Sequence, residues 1–271
     1  MNRLQKTELE LLRNLIDVCG KLELRYYLVC GSALGAVKYG GFIPWDDDID
    51  VGMPREDYRT FIERAGEFLP SWCFLQTYAT DPEYPQIFAK LRDSRTAYIE
   101  RSMRHRNIHQ GVFIDVFPLD GCPAQASEIK RLERKKRRYK IRLDSANAFE
   151  KGQKITTGLY FLALRALGYH RRTASTARKL EELVSAYPTG SSAVWCNHGN
   201  WQGMKEYAPR EQYGEGTEMT FEGFAVTVPA EYDAYLTQKY GDWRADLPEE
   251  EKVGHHFYTV CDLEHPYTEY F

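Results

Sequence analysis

The most informative stretch of this 271-residue sequence is Pro44-Trp45-Asp46-Asp47-Asp48-Ile49-Asp50-Val51. Ile49 and Val51 alternate with aspartates, which is the two-residue period of a β-strand. The apolar side chains then face a core, and the carboxylates of Asp48 and Asp50 share the opposite face. Neighbouring carboxylates repel each other unless a proton or a cation lies between them. The spacing therefore predicts either a raised pKa or a divalent-metal site, with a solvated acidic loop as the simpler alternative.

The same aspartates also suggest a calcium-binding EF-hand loop, because Asp46, Asp48 and Asp50 match its first, third and fifth positions. The other positions do not fit. The sixth is Val51 where the loop requires glycine, and the twelfth is Asp57 where a bidentate glutamate is preferred. The sequence therefore argues against an EF-hand.

A Gly-Ser turn lies upstream of the aspartates. Residues 26–30 are a short apolar run typical of a buried strand, and Gly31-Ser32 ends it. Residues 33–38 predict a short helix, which Gly40-Gly41 ends. A small turn after a buried strand allows backbone N–H groups and a hydroxyl to approach phosphate oxygens. Gly31 and Ser32 are therefore predicted to bind phosphate beside the aspartate pair.

A third carboxylate lies inside the apolar stretch Val112-Phe113-Ile114-Asp115-Val116-Phe117. A charged residue centred in such a strand is costly to bury without a partner. Asp115 is therefore either a further metal ligand, which would complete a two-metal site, or the partner of a nearby arginine. Asp120, which follows Pro118-Leu119, is predicted to be a turn residue.

Four further residues are candidates for the site. Lys90 and Arg92 alternate on another predicted strand, so both can reach phosphate from one face, unless that face is simply solvated. His255 and His256 are candidates for a base or a metal ligand. Because adjacent strand residues point to opposite faces, at most one of them is expected in the site.

The aromatic residues, 14% of the chain, bear on the ligand. A quaternary ammonium is favoured by a cage of Trp and Tyr faces. Trp45 lies beside the aspartates, and Trp195, Trp201 and Tyr207 follow later in the chain. These rings are compatible with such a cage, and core or surface packing is the alternative.

The remaining pattern predicts a mixture of helices and strands. A capping box at Thr7-Glu8-Leu9-Glu10 predicts the start of an amphipathic helix that runs to about Gly20. Glu222-Gly223 marks the turn of a hairpin. Further helices are predicted at 54–68, within 127–187 and at 231–240, and strands at 73–78, 87–92, 97–100, 112–117 and 219–228. The predicted fold class is α/β of the α+β type, a mixed sheet core flanked by helices.

Composition excludes several classes of protein. Charged residues are 28% and apolar residues 43% of the chain, which is typical of a globular domain and not of a disordered, collagen-like or coiled-coil protein. No apolar segment resembles a signal peptide or a membrane span. The six cysteines form no CxxC pair, which argues against a zinc or redox motif. We therefore expect a cytoplasmic protein with reduced thiols.

The charge is unevenly distributed. The net charge is −3, yet residues 128–179 contain 16 Lys and Arg against 4 Asp and Glu, a net of +12, so the rest carries −15. We predict a basic helical insert at 127–187 between a catalytic core at 1–126 and a C-terminal part at 188–271, all one compact unit. The insert has no nucleic-acid-binding motif. It is expected to present solvated helix faces, or to dock on an anionic glycolipid or the inner membrane leaflet as a peripheral contact.

These motifs together resemble the LicD family, which belongs to the polymerase-β-like nucleotidyltransferase superfamily and includes relatives of fukutin. The similarity covers nearly the whole chain apart from the basic insert. It is found in Gly31-Ser32-Ala33-Leu34-Gly35, 43–51, Phe88-Ala89-Lys90-Leu91-Arg92-Asp93, 111–120 and Tyr240-Gly241-Asp242-Trp243. The resemblance implies a nucleotidyltransferase-like core, with a C-terminal hairpin and helix region beside it.

The resemblance also implies a phosphotransferase that moves a phosphorylated alcohol from a CDP-activated donor to a hydroxyl of a cell-surface polysaccharide or glycolipid, such as lipopolysaccharide or teichoic acid, and releases CMP. Phosphocholine from CDP-choline is the expected case, with CDP-ribitol or CDP-glycerol as alternatives. Mg²⁺ or Mn²⁺ would be held by Asp48, Asp50 and Asp115, with Gly31 and Ser32 on the donor phosphates. Two other hypotheses stay open: a true nucleotidyltransferase that releases pyrophosphate, and a catalytically inactive membrane- or glycan-binding module.

Overall fold

The computed structural model of the protein describes residues 1–147, 155–254 and 256–271. The helices in this part of the chain are α1 Arg3–Leu22, α2 Cys30–Tyr39, α3 Arg55–Arg64, α4 Ala126–Asp144, α5 Ile155–Ala166, α6 Thr173–Val184, α7 Arg210–Tyr213 and α8 Tyr232–Tyr240. The strands are β1 Tyr27–Leu28, β2 Asp50–Pro54, β3 Cys73–Gln76, β4 Ala89–Asp93, β5 Ala97–Glu100, β6 Phe113–Gly121, β7 Val194–Asn197, β8 Tyr207–Pro209, β9 Thr217–Phe221, β10 Phe224–Val228 and β11 Tyr258–Asp262.

The central strand of the main sheet is β6. It pairs in parallel with β2 on one edge, while its two halves pair antiparallel with β4 and β7 on the other edge. β1, β3 and β8 extend this sheet to seven strands. All nine residues of β6 are buried, as expected of a strand covered on both faces. The predicted fold class, a mixed sheet flanked by helices, is confirmed.

The helix α1 covers the sheet with an apolar stripe. Leu12, Leu15 and Val18 belong to the same buried cluster as Val51 and Ile114 of the central strands. The predicted start of this helix is wrong, because the capping box is formed by Asn2 and Gln5, whose side chains each accept a 2.9 Å hydrogen bond from the other's backbone N–H. Thr7 lies inside the helix, where its hydroxyl donates to the carbonyl of Arg3.

Within its described residues, the basic insert forms the helices α4, α5 and α6. Leu132, Leu143, Leu180 and Val184 of the insert pack in one buried cluster with Ile87 of the core. The burial of one apolar stripe leaves most of the basic residues on the remaining helix faces, whereas Lys136 is buried beside Leu132. Within the described residues, no helix combines the length and the apolar character needed to cross a membrane.

The C-terminal segment adds to several parts of the fold. β7 and β8 join the main sheet, and β11 pairs with β5. The predicted hairpin is confirmed as β9 and β10, whose turn residues Glu222 and Gly223 both have positive φ, at 49° and 83°. Two consecutive positive φ angles match the twist of the flanking strands, which explains the glycine.

Asp120 is not the predicted turn residue. It lies in β6 and is fully buried, and its carboxylate accepts two hydrogen bonds from the guanidinium of Arg55. The prediction failed because the proline and glycine around it are typical of turns. β6 instead continues through Pro118 to Gly121, since a distant arginine compensates the buried charge.

Candidate active site

Three charged side chains lie side by side on three neighbouring strands. Asp50 of β2 is in register with Asp115 of β6, and Asp115 is in register with Lys90 of β4. The Nζ of Lys90 lies 2.9 Å from Oδ1 of Asp115. The charged partner of Asp115 is therefore a lysine, and not the arginine considered from the sequence.

A cavity of about 690 Å³ opens beside these strands. Its acidic wall consists of Asp46, Asp48, Asp50 and Asp115, and Asp242 adds a fifth carboxylate to the lining. Burial raises the pKa of Asp50, and the charges of Asp48 and Asp115 raise it further. Burial also raises the pKa of Asp46, to about 8, with Asp48 and Asp47 adding to the shift. The cavity therefore concentrates negative charge that a proton or a cation would stabilise.

Asp115 experiences opposing influences. Burial raises the pKa of its carboxyl, whereas the ammonium of Lys90 acts in the opposite direction. The net effect is a raised pKa. A carboxylate of raised pKa is a better proton acceptor than one in water, which suits general base catalysis.

His256 contacts the aspartate-rich loop. Its backbone N–H donates to Oδ2 of Asp47 at 3.1 Å, and its Nδ1 lies 3.3 Å from Oδ1 of Asp47 and 3.8 Å from Oδ2 of Asp48. Burial opposes a charge on the ring, but the hydrogen bond to Asp47 and the charge of Asp48 raise the pKa of His256 to about 10. The imidazole is therefore a cationic partner of this loop at neutral pH. His255 lies outside the described residues.

The Gly-Ser motif belongs to the first turn of α2, which begins at Cys30 and so earlier than predicted. A Cβ on Gly31 would lie 2.8 Å from Oδ2 of Asp46, so only glycine allows this aspartate to pack against the helix. The hydroxyl of Ser32 accepts a 2.8 Å hydrogen bond from the backbone N–H of Asp50. Both residues thus position the acidic wall, and their contact with phosphate stays a prediction.

Arg92 is fully buried, and its guanidinium binds other parts of the protein. Nε donates to the side chain of Gln76 at 2.6 Å, Nη1 donates to the carbonyl of Gly111 at 2.7 Å, and Nη2 lies 3.5 Å from a carboxylate oxygen of Glu100. Lys90 meets the site through its ion pair with Asp115. Phosphate binding by Lys90 and Arg92 stays a prediction.

Aromatic side chains line the same cavity as the carboxylates, and most of them were not singled out from the sequence. This aromatic wall consists of Tyr39, Trp45, Phe88, Phe117, Trp201, Tyr240 and Trp243. Trp45 and Trp201 thus line the cavity, whereas Trp195 packs on Tyr213 and the hydroxyl of Tyr207 donates to Glu133. The motif Tyr240-Gly241-Asp242-Trp243 was the available signal for the last two rings.

Comparisons with known proteins identify the family. Residues 23–123 match the family described as LicD/FKTN/FKRP, nucleotidyltransferase domain. The chain is 31% identical over 253 residues to the lipopolysaccharide cholinephosphotransferase LicD of Haemophilus influenzae, covering 90% of this chain and 92% of that protein. This chain belongs to the LicD family.

Shorter similarities extend to other members of the LicD family. The ribitol 5-phosphate transferases FKRP of mouse and human are 44% identical over 48 residues, which is 18% of this chain and 10% of theirs. The whole acidic wall lies inside the span that matches the LicD family domain, whereas Trp201, Tyr240 and Trp243 lie outside it. Four of the five cavity carboxylates thus belong to the matched domain, whereas Asp242 and part of the aromatic wall belong to the C-terminal segment.

Proposed function

We propose that this chain is a divalent-metal-dependent phosphotransferase that moves phosphocholine from CDP-choline to a hydroxyl of a cell-surface glycan or glycolipid. The observation that carries the proposal is one cavity that is lined by a cluster of carboxylates and by aromatic rings. The long similarity to a protein named lipopolysaccharide cholinephosphotransferase supports the same reaction and acceptor class.

The acidic wall suits a divalent cation. Asp48, Asp50 and Asp115 line the same cavity, and the pKa of Asp50 is raised by burial and by the charges of the other two. Oxygen ligands of this kind are preferred by Mg²⁺ and are also suited to Mn²⁺. These three residues would hold the cation, which would neutralise the charge that develops on the phosphates as the bond to CMP breaks.

The residues of the chain would bind and orient the two substrates. Gly31 lies in the first turn of α2, where N–H groups have no acceptor within the helix and can donate to the donor phosphates. Asp115 would accept the proton of the acceptor hydroxyl as its oxygen attacks the phosphorus that carries choline. The P–O bond to CMP then breaks, and CMP leaves with the bonding electrons. Lys90 would keep the carboxylate of Asp115 in position.

The aromatic wall favours choline as the transferred alcohol. A quaternary ammonium gains roughly 0.5–2 kcal/mol from each aromatic face that it contacts, whereas a polyol such as ribitol does not. Trp45 and Tyr39 meet edge to face at 6.3 Å between ring centroids and present two such rings to the cavity. The similarity to ribitol 5-phosphate transferases supports CDP-ribitol as the second candidate donor.

The reaction can be tested by following CMP release from CDP-choline in the presence of Mg²⁺ and a lipopolysaccharide acceptor. We expect Asp48→Asn and Asp50→Asn each to lower the rate by about a hundredfold or more, because loss of metal binding removes several kcal/mol of transition-state stabilisation. Asp17→Asn, at an exposed site on α1, is the matched control and should retain full activity. Full turnover in either site variant would exclude the proposed metal site.

The products and ligands separate the other hypotheses. Pyrophosphate instead of CMP would identify a nucleotidyltransferase. Thermal unfolding with Mg²⁺ and CDP-choline, CDP-ribitol or CDP-glycerol would rank the donors, since a ligand that binds the native state raises its stability. We expect the largest rise with CDP-choline. A protein that binds none of the three donors would fit an inactive binding module.

A further inference from the structure

The solvent-facing side of α5 is apolar. Its large apolar residues, together with the residue that follows the helix, are between 53% and 67% exposed: Leu159, Tyr160, Leu162 and Leu167. Leu164 faces the protein and is buried. Arg165, the charged residue within this stretch, donates to the backbone carbonyls of Ser145 and Asn147. A contiguous exposed apolar face of this kind marks an interaction surface.

The other helical segments of the insert carry exposed basic side chains. The ten within the described residues are Lys130, Arg131, Arg134, Lys135, Arg137, Arg138, Arg171, Arg172, Arg178 and Lys179. None of the ten forms an ion pair in the described part of the chain, where Lys136 and Lys140 instead pair with Glu133 and Asp144. The exposed positive charge of the insert is therefore uncompensated.

A second cavity, of about 520 Å³, lies near the C-terminal end of α5. Its basic lining residues are Arg106, Arg165, Arg171, His105 and His170, with Glu83 as the acidic member. Arg106 and Arg165 already donate to backbone carbonyls, whereas Arg171 is exposed. A lining of this composition suits a phosphate group.

We propose that the insert is a peripheral membrane-docking surface for a bilayer that contains anionic phospholipid. The exposed side of α5 would enter the interface between headgroups and acyl chains, and the exposed basic residues would lie among the headgroup phosphates. The charge selects this partner over a second copy of the chain. In a two-fold dimer the same surface meets itself, which would place like charges opposite one another.

The position of the insert links this surface to the cavity of the candidate active site. Trp201 lines that cavity and also packs against the buried cluster of the insert. The Nζ atoms of Lys136 and Lys140 each lie 5.1 Å from the centre of its rings. Docking would thus place the cavity close to the membrane that carries a glycolipid acceptor. The docking itself does not depend on the proposed transfer reaction.

Flotation of the full chain with lipid vesicles tests the proposal. We expect binding to vesicles of phosphatidylcholine and phosphatidylglycerol in equal amounts, and much weaker binding to pure phosphatidylcholine. Arg137→Gln with Arg138→Gln should weaken binding by about fivefold for each charge removed. Leu159→Ser with Leu162→Ser should weaken it by about tenfold or more.

Matched controls place the same chemical changes elsewhere. Lys6→Gln with Lys205→Gln removes two exposed charges, and Met204→Ser removes an exposed apolar side chain, all outside the insert. These variants should bind as the unchanged chain does. The comparison of the two vesicle types with the unchanged chain needs no variant, so it remains decisive if a substitution prevents folding.

Two results would overturn the proposal. One is equal flotation of the unchanged chain with neutral and anionic vesicles. The other is a dimer in solution that Leu159→Ser with Leu162→Ser converts to a monomer without any change in vesicle binding. That second result would assign the apolar side of α5 to contact between two copies.

Discussion

At the scale of single residues, the candidate site depends on charges that are buried next to each other. Asp115 is 6% and Lys90 only 2% exposed, and their side chains form an ion pair. Such a pair contributes little net stability, because desolvation offsets the attraction between the charges. The removal of one partner nevertheless leaves an uncompensated buried charge. Lys90 therefore makes a stable, charged Asp115 possible in the middle of an apolar strand.

Lys90→Met should lower the free energy of unfolding by about 3–5 kcal/mol, since it leaves the Asp115 carboxylate without its cation. Lys21→Met, which removes an exposed ion pair with Asp17, should lower the free energy of unfolding by less than about 1 kcal/mol. Urea denaturation followed by circular dichroism measures both. Asp115→Asn combined with Lys90→Met should restore most of the lost free energy of unfolding, because the buried carboxylate is then absent. Equal effects of the two lysine substitutions would contradict this explanation.

His109 predicts a pH dependence of stability. Its Nδ1 accepts a 3.2 Å hydrogen bond from the N–H of Gly111, and its Nε2 lies 2.9 Å from the hydroxyl of Ser94. Burial, with a smaller effect of Arg92, lowers the pKa of His109 to about 3. The folded protein therefore holds the ring neutral over a pH range in which the unfolded chain is protonated.

The unfolded chain binds the extra proton as pH falls through about 6.5, so this contribution to stability is complete above that pH and is lost progressively towards pH 3. His109→Asn, whose carbonyl can accept the same backbone hydrogen bond, should reduce the slope of unfolding free energy against pH. The reduction should approach about 1.4 kcal/mol per pH unit between pH 4 and 6. Urea titrations at several pH values measure it, and an unchanged slope would exclude His109 as the cause.

At the scale of secondary-structure elements, one arginine joins the insert to the core. Arg55 of α3 donates two hydrogen bonds, of 2.6 and 2.7 Å, to Asp120 of β6. It donates a third, of 2.6 Å, to Glu181 of α6. The hydroxyl of Tyr78 also donates to Glu181. A planar guanidinium can satisfy two carboxylates in fixed directions, which a lysine cannot.

Arg55→Met should therefore cost about 3–5 kcal/mol of stability, and Arg55→Lys should recover only part of it. Glu181→Gln should lower the free energy of unfolding by less and should affect only the surroundings of α6, because Asp120 keeps Arg55 as its partner. We expect faster amide hydrogen exchange in α6 and unchanged exchange in α1. Arg64→Met, at an exposed pair with Glu67, is the control and should change neither stability nor exchange appreciably. Exchange that rises equally in both helices would argue against a local link.

At the scale of the whole molecule, the sequence separates charge into a net +12 for residues 128–179 and −15 for the rest. The structure places part of the negative charge around one cavity, where burial and mutual repulsion raise the pKa of Asp46 and Asp50. Carboxylates in this state destabilise the folded protein when they are ionised. A bound cation would remove much of this cost.

Mg²⁺ should therefore raise the thermal unfolding temperature, with a stabilisation of about 2.7 kcal/mol at a concentration a hundred times its dissociation constant. The rise should disappear in a variant carrying Asp48→Asn and Asp50→Asn. NaCl at matched ionic strength is the control, because it screens charge without occupying a specific site. An equal rise with NaCl, or an undiminished rise in the variant, would show that the effect is general screening.

Local signals predicted several elements well. The Glu222-Gly223 turn identified the β9–β10 hairpin, and Gly40 and Gly241 mark the ends of α2 and α8. Each depends on neighbouring residues alone. The strands β7 and β8 were missed because aromatic and polar residues obscure their alternation, and because β7 also pairs with the distant β6.

The sequence by itself identified Asp48 and Asp50 through their alternation with apolar residues, which is a local signal, and both line the cavity. The predicted strand is confirmed only from Asp50 onwards, and Asp48 lies in the preceding loop. Only the tertiary structure decided which charges meet. The pairing of β6 with both β2 and β4 sets Asp115 between Asp50 and Lys90. The tertiary structure likewise brings Trp201 and Trp243, from the last third of the chain, to the cavity that the aspartates line. Such contacts depend on strand register and helix packing over long separations, which no local pattern of residues encodes.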